Sequence, residues 1–144
     1  MRMEPGMTHS LMYSSAAAFA LDDREVAALL ADSRRRNAEN GVTGMLVYIR
    51  VDDERCAFLQ VLEGPEASVE QTYARIAGDE LHTDLTVLSR GPVAQRRFAG
   101  WSMRFAALPG DDLLDASGRG DADPFQLLRD GAAMERVLAA LGAE

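Results

Sequence analysis

The sequence predicts an α+β sandwich in which two helices cover one face of a β-sheet. Two segments rich in β-forming residues, 42–51 and 55–62, are separated only by the charged residues 52–54, which is typical of a hairpin. One amphipathic stretch precedes this hairpin and a second follows it, and further β-type segments lie at both ends of the pattern. The resulting order, β-α-β-β-α-β-β, is that of a ferredoxin-like sandwich.

Both predicted helices have recognisable ends. Asp22 and Glu25 have the spacing of a capping box, which marks a helix N-terminus, and Gly41 ends that helix. Pro65 suits the first turn of the second helix, which ends before Gly78. The apolar faces carry Val26, Leu29 and Leu30 in the first helix and Val69, Tyr73, Ile76 and Ala77 in the second.

The remaining strands and the C-terminal segment are predicted from local composition. We expect strands at residues 11–16 and 85–88, with residues 89–92 ending the latter, and a fifth strand at 101–107 in which alternate side chains share a face. Beyond it, short helices at 111–114 and 125–141 flank a loop rich in Gly and Asp. The predicted organisation is a flexible leader at 1–9, a folded domain at 10–107 and a helical extension at 108–144.

Composition restricts the function classes. The net charge of −8 argues against a nucleic-acid or anionic membrane partner. No apolar run reaches the roughly 18 residues of a membrane span, and the N-terminus lacks a signal-peptide stretch, so a cytoplasmic location is expected. Cys56 is the one cysteine, which excludes an internal disulfide and any multi-cysteine metal site.

The sequence offers no pattern typical of an enzyme. It lacks a nucleophile with a nearby base, a metal-ligand cluster and a phosphate loop, so we expect neither catalytic residues nor a metal. His9 lies in the predicted leader, and His82 lies between the second helix and the fourth strand, where capping or packing explains it. The cations of residues 34–36 complement a helix C-terminus, and Arg36, beside Asn37, is the one we expect to contact a ligand.

Gln60 is the most informative residue, because it is a side-chain amide inside the apolar run 58–62. An unpartnered amide in a core costs about 1–3 kcal/mol, so Gln60 should face a polar group or a ligand. Tyr13, in an apolar strand, and Asn37, near a helix end, raise the same question. Three such groups on separate elements would suit the heteroatom edge of a flat ring.

Four separated motifs resemble those of the BLUF family, the blue-light sensors using FAD, over roughly residues 10–105. They are residues 11–15 (LMYSS), residues 36–46 (RNAENGVTGML), residues 58–64 (FLQVLEG) and residues 96–103 (RRFAGWSM). The resemblance implies a ferredoxin-like fold that holds the flavin non-covalently between its two helices, in agreement with the element order.

The resemblance also implies residue roles. Tyr13 matches the redox-active tyrosine, Gln60 the switching glutamine, and Asn37 the asparagine that hydrogen-bonds the flavin edge. In such proteins the light-excited flavin takes an electron from the tyrosine, and a proton moves through the glutamine. After recombination the glutamine amide is rotated or tautomerised, and the flavin absorption is reversibly red-shifted. His82 matches a histidine near the flavin, and Trp101 and Met103 match fifth-strand residues that pass the change to the surface.

Two points depart from the family or stay open. Leu81 stands where members often have an arginine near the flavin phosphates, so FMN or riboflavin could bind as well as FAD. The extension carries no recognisable catalytic domain, so we expect the output to pass to a separate partner or to a second copy of the chain. The alternative is a light-insensitive interaction module on the same fold. A LOV-type reactive cysteine at Cys56 and an acylphosphatase-like enzyme fit the sequence less well.

Overall fold

The computed structural model describes residues 8–142, which form one five-stranded sheet with helices on both faces. The strands are β1 (Thr8–Ala17), β2 (Thr43–Arg50), β3 (Cys56–Gly64), β4 (His82–Val93) and β5 (Arg104–Pro109). The helices are α1 (Asp23–Asn40), α2 (Glu66–Ala77), α3 (Gly110–Ser117), α4 (Pro124–Leu127) and α5 (Gly131–Ala140). Among these residues, no helix combines the length and the apolarity that crossing a bilayer requires.

The sheet confirms the predicted fold class. Its strand order is β4-β1-β3-β2-β5. Strand β3 lies between β1 and β2 and is antiparallel to both, while β4 pairs antiparallel with the outer edge of β1. These four strands have the split β-α-β arrangement of a ferredoxin-like sandwich. Strand β5 extends the sheet by pairing parallel with β2.

Side chains alternate between two cores on opposite faces of the sheet. On β1, Leu11 and Tyr13 belong to the core under α1 and α2, which we call the helix face. Met12 belongs to the other core, which we call the back face and which α3, α4 and α5 cover. Because successive strand residues point to opposite sides, every strand that carries a site residue also packs against the C-terminal helices.

Helix α1 begins at the predicted capping box. The Asp22 side chain accepts a hydrogen bond from the Glu25 backbone at 2.8 Å, and the Glu25 side chain accepts from the Asp22 backbone at 3.1 Å. Gly41 ends the helix with φ of 70°, a left-handed conformation that glycine adopts without strain. Within this 18-residue helix only Val26 and Asn37 are buried, so α1 packs lightly on the sheet.

The C-terminal helices share the back-face core with the sheet. Their buried side chains are Leu113, Leu127, Leu128, Ala133, Met134, Val137 and Leu138. The Ser14 hydroxyl on β1 donates to the Leu128 carbonyl at 2.5 Å, which attaches the strand to the end of α4. The predicted helix at 125–141 is two helices, because Asp130 accepts a hydrogen bond from the Ala133 backbone and starts α5 anew.

Strand β1 begins earlier than the strand predicted at residues 11–16. Strand β1 starts at Thr8, so His9 belongs to the sheet and not to a leader; residues 1–7 lie outside the described residues. His9 is buried, and its Nε2 lies 2.7 Å from Oε2 of Glu70 on α2. This polar contact holds the start of β1 against α2.

Strands β4 and β5 also differ from the prediction. Strand β4 continues through residues 89–92, which were expected to end it. Among the described residues it is an edge strand whose one neighbour is β1, so its other side is free of pairing constraints. Pro92 is compatible with an edge, where the missing backbone donor leaves no ladder bond unmade. Strand β5 begins at Arg104, so Trp101, Ser102 and Met103 form an irregular segment ahead of it.

Candidate functional site

Tyr13 and Gln60 meet in the middle of the helix face. The antiparallel register of β1 and β3 places these two residues directly opposite each other. The Tyr13 hydroxyl donates a hydrogen bond to Oε1 of Gln60, and both side chains are buried. Burial raises the pKa of Tyr13 well above its usual range, and the nearby Tyr73 adds to the rise. Tyr13 therefore keeps its proton and acts as a donor to the amide.

The other end of the Gln60 amide has a weaker partner. Its Nε2 lies 3.6 Å from Sδ of Met103, which is fully buried. A thioether sulfur is a poor hydrogen-bond acceptor, so the amide N–H groups retain most of their capacity to donate. A carbonyl or ring nitrogen brought to this position would be a better acceptor than the sulfur.

Asn37 reaches the same segment from the end of α1. Its side chain is 1% exposed, and its Nδ2 donates to the Ser102 carbonyl at 2.8 Å. Asn37 occupies this position because α1 ends at Gly41 and turns directly into β2. The structure therefore brings Asn37 and Gln60 to neighbouring residues of one segment, Ser102 and Met103.

His82 lies at the start of β4 and faces the aromatic side chains of the helix face. Its ring centroid is 4.9 Å from that of Phe58 and 6.1 Å from that of Tyr13. Its Nδ1 is 2.7 Å from the Ser15 hydroxyl. Burial lowers the pKa of His82, and the Asp79 carboxylate only partly opposes this effect. The imidazole is therefore neutral near pH 7. Because the ring packs beside Tyr13 and Phe58, capping of a helix, as the sequence suggested, does not fully explain His82.

Two other predicted residues lie away from this group. Arg36 binds Asp32 on its own helix, with 2.9 Å between Nε and Oδ2, and neither side chain is buried. Trp101 is 51% exposed, whereas Met103, two residues later, is fully buried. The two were expected to share a face of a strand, but the segment is irregular there and their side chains separate.

The structure adds two residues that the sequence reasoning missed. Arg34 donates from Nε to the Met103 carbonyl at 3.0 Å, and Ser15 contacts His82 as described above. Arg34 precedes Asn37 by three residues, so the two share one side of α1, a spacing that could have identified it. Ser15 shares the face of Tyr13 by strand alternation, which could likewise have identified it.

The fold and the site define an α+β domain of the ferredoxin-like class that carries buried hydrogen-bonding groups on its helix face. The family model for sensors of blue-light using FAD, BLUF, matches residues 8–104. The match covers more than half of the chain, so the chain belongs to the BLUF family. The members of this family bind flavin and respond to blue light.

Relatives and solved structures agree with this assignment. The photoactivated adenylate cyclase subunit beta of Euglena gracilis is 32% identical over 98 residues, which are 67% of this chain and 11% of that protein. The dark-state structure of the BLUF protein BlrB is 27% identical, with a TM-score of 0.69, and the match covers 94% of this chain and 98% of that one. Klebsiella pneumoniae BlrP1 with FMN and cyclic diGMP is 31% identical, with a TM-score of 0.61, over 69% of this chain and 26% of that one. This chain thus spans about a tenth of the length of the Euglena relative.

The side chains present fit a flavin. The heteroatom edge of an isoalloxazine carries carbonyl and ring-nitrogen acceptors together with an N–H donor. The amides of Gln60 and Asn37 can each both donate and accept, and Tyr13 completes the polar set. The Nε2 of Gln60, whose hydrogen-bond partner here is the Met103 sulfur, would gain a stronger acceptor from such an edge.

The lowered pKa of His82 gives a direct test of this environment. We expect the imidazole to titrate below its ordinary value of about 6.5, because burial disfavours the imidazolium form. The unfolded chain then binds more protons than the folded one, so the free energy of unfolding should fall as pH drops below that value. Proton NMR of the imidazole resonances measures the titration.

The control uses the small number of histidines. The chain has two, so a His9→Gln variant assigns the His82 resonance, and the same variant in denaturant gives the unperturbed titration. A folded-state midpoint at or above that of the denatured chain would contradict the buried, neutral imidazole.

Proposed function

We propose that this protein is a blue-light photoreceptor that binds FAD non-covalently and switches through Tyr13 and Gln60. The observation that supports it most is the buried hydrogen-bond series from Tyr13 through the Gln60 amide to Met103. Asn37 and His82, which line the same face, would hold the flavin together with Tyr13 and Gln60. Arg36 is proposed to contact the flavin only at the protein surface, because its guanidinium already binds Asp32.

The proposed switch is a change in the orientation of one amide. Bound flavin supplies absorption of blue light and an excited state that accepts an electron. The Tyr13 O–H points at Oε1 of Gln60, so the proton that tyrosine loses on oxidation has a hydrogen-bonded acceptor in place. Return of both the electron and the proton to Tyr13, with the amide rotated or tautomerised, would leave Gln60 with its donor and acceptor ends exchanged.

An amide suits this role because it can exchange donor and acceptor without moving a charge through the core. An ionised group at the same position would cost several kcal/mol to bury. In the orientation seen here Gln60 accepts from the Tyr13 hydroxyl, and its Nε2 donates to the Met103 sulfur or, when flavin is bound, to a flavin acceptor. In the exchanged orientation its Nε2 would donate to the Tyr13 oxygen. The two states would then differ in hydrogen bonding and, for a tautomer, in the position of one proton. No bond to the flavin forms, so the red-shifted state can revert in the dark.

The choice among flavins rests on the phosphate end of the site. The family description supports FAD, and BlrP1 was solved with FMN. Leu81 is a buried aliphatic residue here, so this position offers no cation to a phosphate. We therefore propose FAD as the cofactor, with FMN and riboflavin as ligands that the site would also accept.

The proposed output is a signal and not a reaction carried out by this chain. Some relatives are adenylate cyclases, but the match to the Euglena protein covers 11% of its length. We propose that Trp101 and Met103 pass the change at Gln60 to the C-terminal helices and from there to a separate protein or a second copy of the chain. A cytoplasmic location and the absence of a nucleic-acid partner stay predictions from the sequence.

The switch is tested by replacing its two members. Tyr13→Phe removes the proton donor and Gln60→Leu removes the amide, so each variant should keep flavin bound but lose the red-shifted state. Absorption spectra before and after blue light, followed through dark recovery, measure this. Tyr73→Phe is the matched control. It removes a tyrosine hydroxyl whose ring lies 5.5 Å from the Tyr13 ring but which takes no part in the Tyr13–Gln60 hydrogen bond. Normal photocycling of both switch variants would refute the mechanism, and purified protein without flavin would favour an interaction module.

Signal transmission through Trp101 is tested separately. Trp101→Ala should leave the absorbance change intact, because the indole is half exposed and outside the hydrogen-bond series. It should reduce the light-dependent change in limited proteolysis of α3, α4 and α5. Phe19→Ala, which removes another exposed aromatic side chain, is the control. An unchanged light response in Trp101→Ala would remove this residue from the proposed route.

A further inference from the structure

Arg34 and Asn37 hold two consecutive carbonyl groups from one side of α1. The Asn37 amide donates to the Ser102 carbonyl at 2.8 Å, and Arg34 Nε donates to the Met103 carbonyl at 3.0 Å. The neighbouring arginines behave differently, because Arg35 and Arg36 both bind Asp32 on the same helix. Arg34 is therefore the arginine of this cluster that reaches across to the segment ahead of β5.

This segment depends on side-chain contacts for its position. Trp101, Ser102 and Met103 precede β5 and lack a regular strand ladder. Trp101 makes two backbone hydrogen bonds: its N–H donates to the Phe98 carbonyl at 2.9 Å, and its carbonyl accepts from the Gly44 N–H at 3.1 Å. The next two carbonyls are bound by Asn37 and Arg34, so these side chains supply the hydrogen bonds that a strand partner would otherwise make.

The position of the Met103 backbone decides what Gln60 can bond. The Met103 side chain has three rotatable bonds and adapts its shape easily, so the sulfur is placed by its backbone and by its packing. Its Sδ lies 3.6 Å from Nε2 of Gln60. A continuous series of contacts thus runs from Arg34 on the surface through Met103 and Gln60 to Tyr13.

We propose that Arg34 is a positioning residue for the light switch. It holds the Met103 carbonyl so that the sulfur stays within reach of the Gln60 amide in the dark arrangement. This inference rests on the proposed function, since the quantity it controls is the balance between two orientations of Gln60. Arg34 touches neither Tyr13 nor Gln60, and it acts through Met103.

The test compares Arg34→Ala with Arg35→Ala in the flavin-loaded protein. Loss of the Arg34 hydrogen bond loosens Met103 and weakens the acceptor that favours the dark orientation. Dark recovery in Arg34→Ala should slow by about five-fold, the rate effect of about one hydrogen bond, while the dark absorption spectrum stays the same. Arg35→Ala should recover at the wild-type rate. Arg34→Lys, which keeps the charge but lacks a nitrogen at the Nε position, should behave like Arg34→Ala.

A double variant tests whether Arg34 affects dark recovery through Met103. Met103→Leu keeps the side-chain volume and removes the sulfur, so adding Arg34→Ala to it should change the recovery rate no further. A full five-fold effect of Arg34→Ala in that background would overturn the proposal. So would a wild-type or faster recovery in the single Arg34→Ala variant.

A readout that needs no photocycle separates this inference from the proposed function. With methyl-labelled methionine, the Met103 methyl resonance in the dark should shift in Arg34→Ala and stay in place in Arg35→Ala. A protein that fails to photocycle would refute the proposed function but leave this measurement valid. An unmoved Met103 resonance in Arg34→Ala would overturn the positioning role even in a working photoreceptor.

Discussion

The antiparallel register of β1 and β3 decides which side chains meet inside this protein. It sets Tyr13 opposite Gln60, so the hydroxyl of one reaches the amide of the other. A slip of one residue would turn the whole apolar set of a strand to the opposite face, which makes the alignment costly to change. The hydrogen bond is thus fixed by the burial of both strands and not by the two polar groups alone. The contacts of Asn37, Met103 and Arg34 are arranged around this pair.

The same strands connect the candidate site to the C-terminal helices. Tyr13 points to the helix face, while its neighbours Met12 and Ser14 point to the back face. Gln60 likewise lies between Leu59 and Val61, both in the back-face core. A shift of strand backbone at the site would therefore also displace the core beneath α4 and α5, in addition to the proposed route through Trp101 and Met103. This double packing gives a physical route by which a small internal change could alter an outer surface.

Local signals in the sequence predicted much of this molecule. The capping box at Asp22, the turn at Gly41 and the polar residue in an apolar strand depend on near neighbours, and each is found where expected. The extent of β4 was missed because its edge position depends on pairing with a distant strand. The sequence explained Arg34 only as a cation near a helix C-terminus. Its partner is a backbone carbonyl 69 residues away, which no local pattern indicates.

The central claim is that the amide of Gln60 changes its hydrogen bonds on illumination. Nitrogen-15 NMR of the side-chain amides, in darkness and under continuous blue light, tests it most directly in the flavin-loaded protein. Gln60→Leu assigns the resonance, and Gln71 and Gln95, which lie outside α3, α4 and α5, serve as internal controls. The account predicts that the Gln60 amide moves reversibly with the red shift while the controls stay in place. A red-shifted state with an unmoved Gln60 resonance would contradict it.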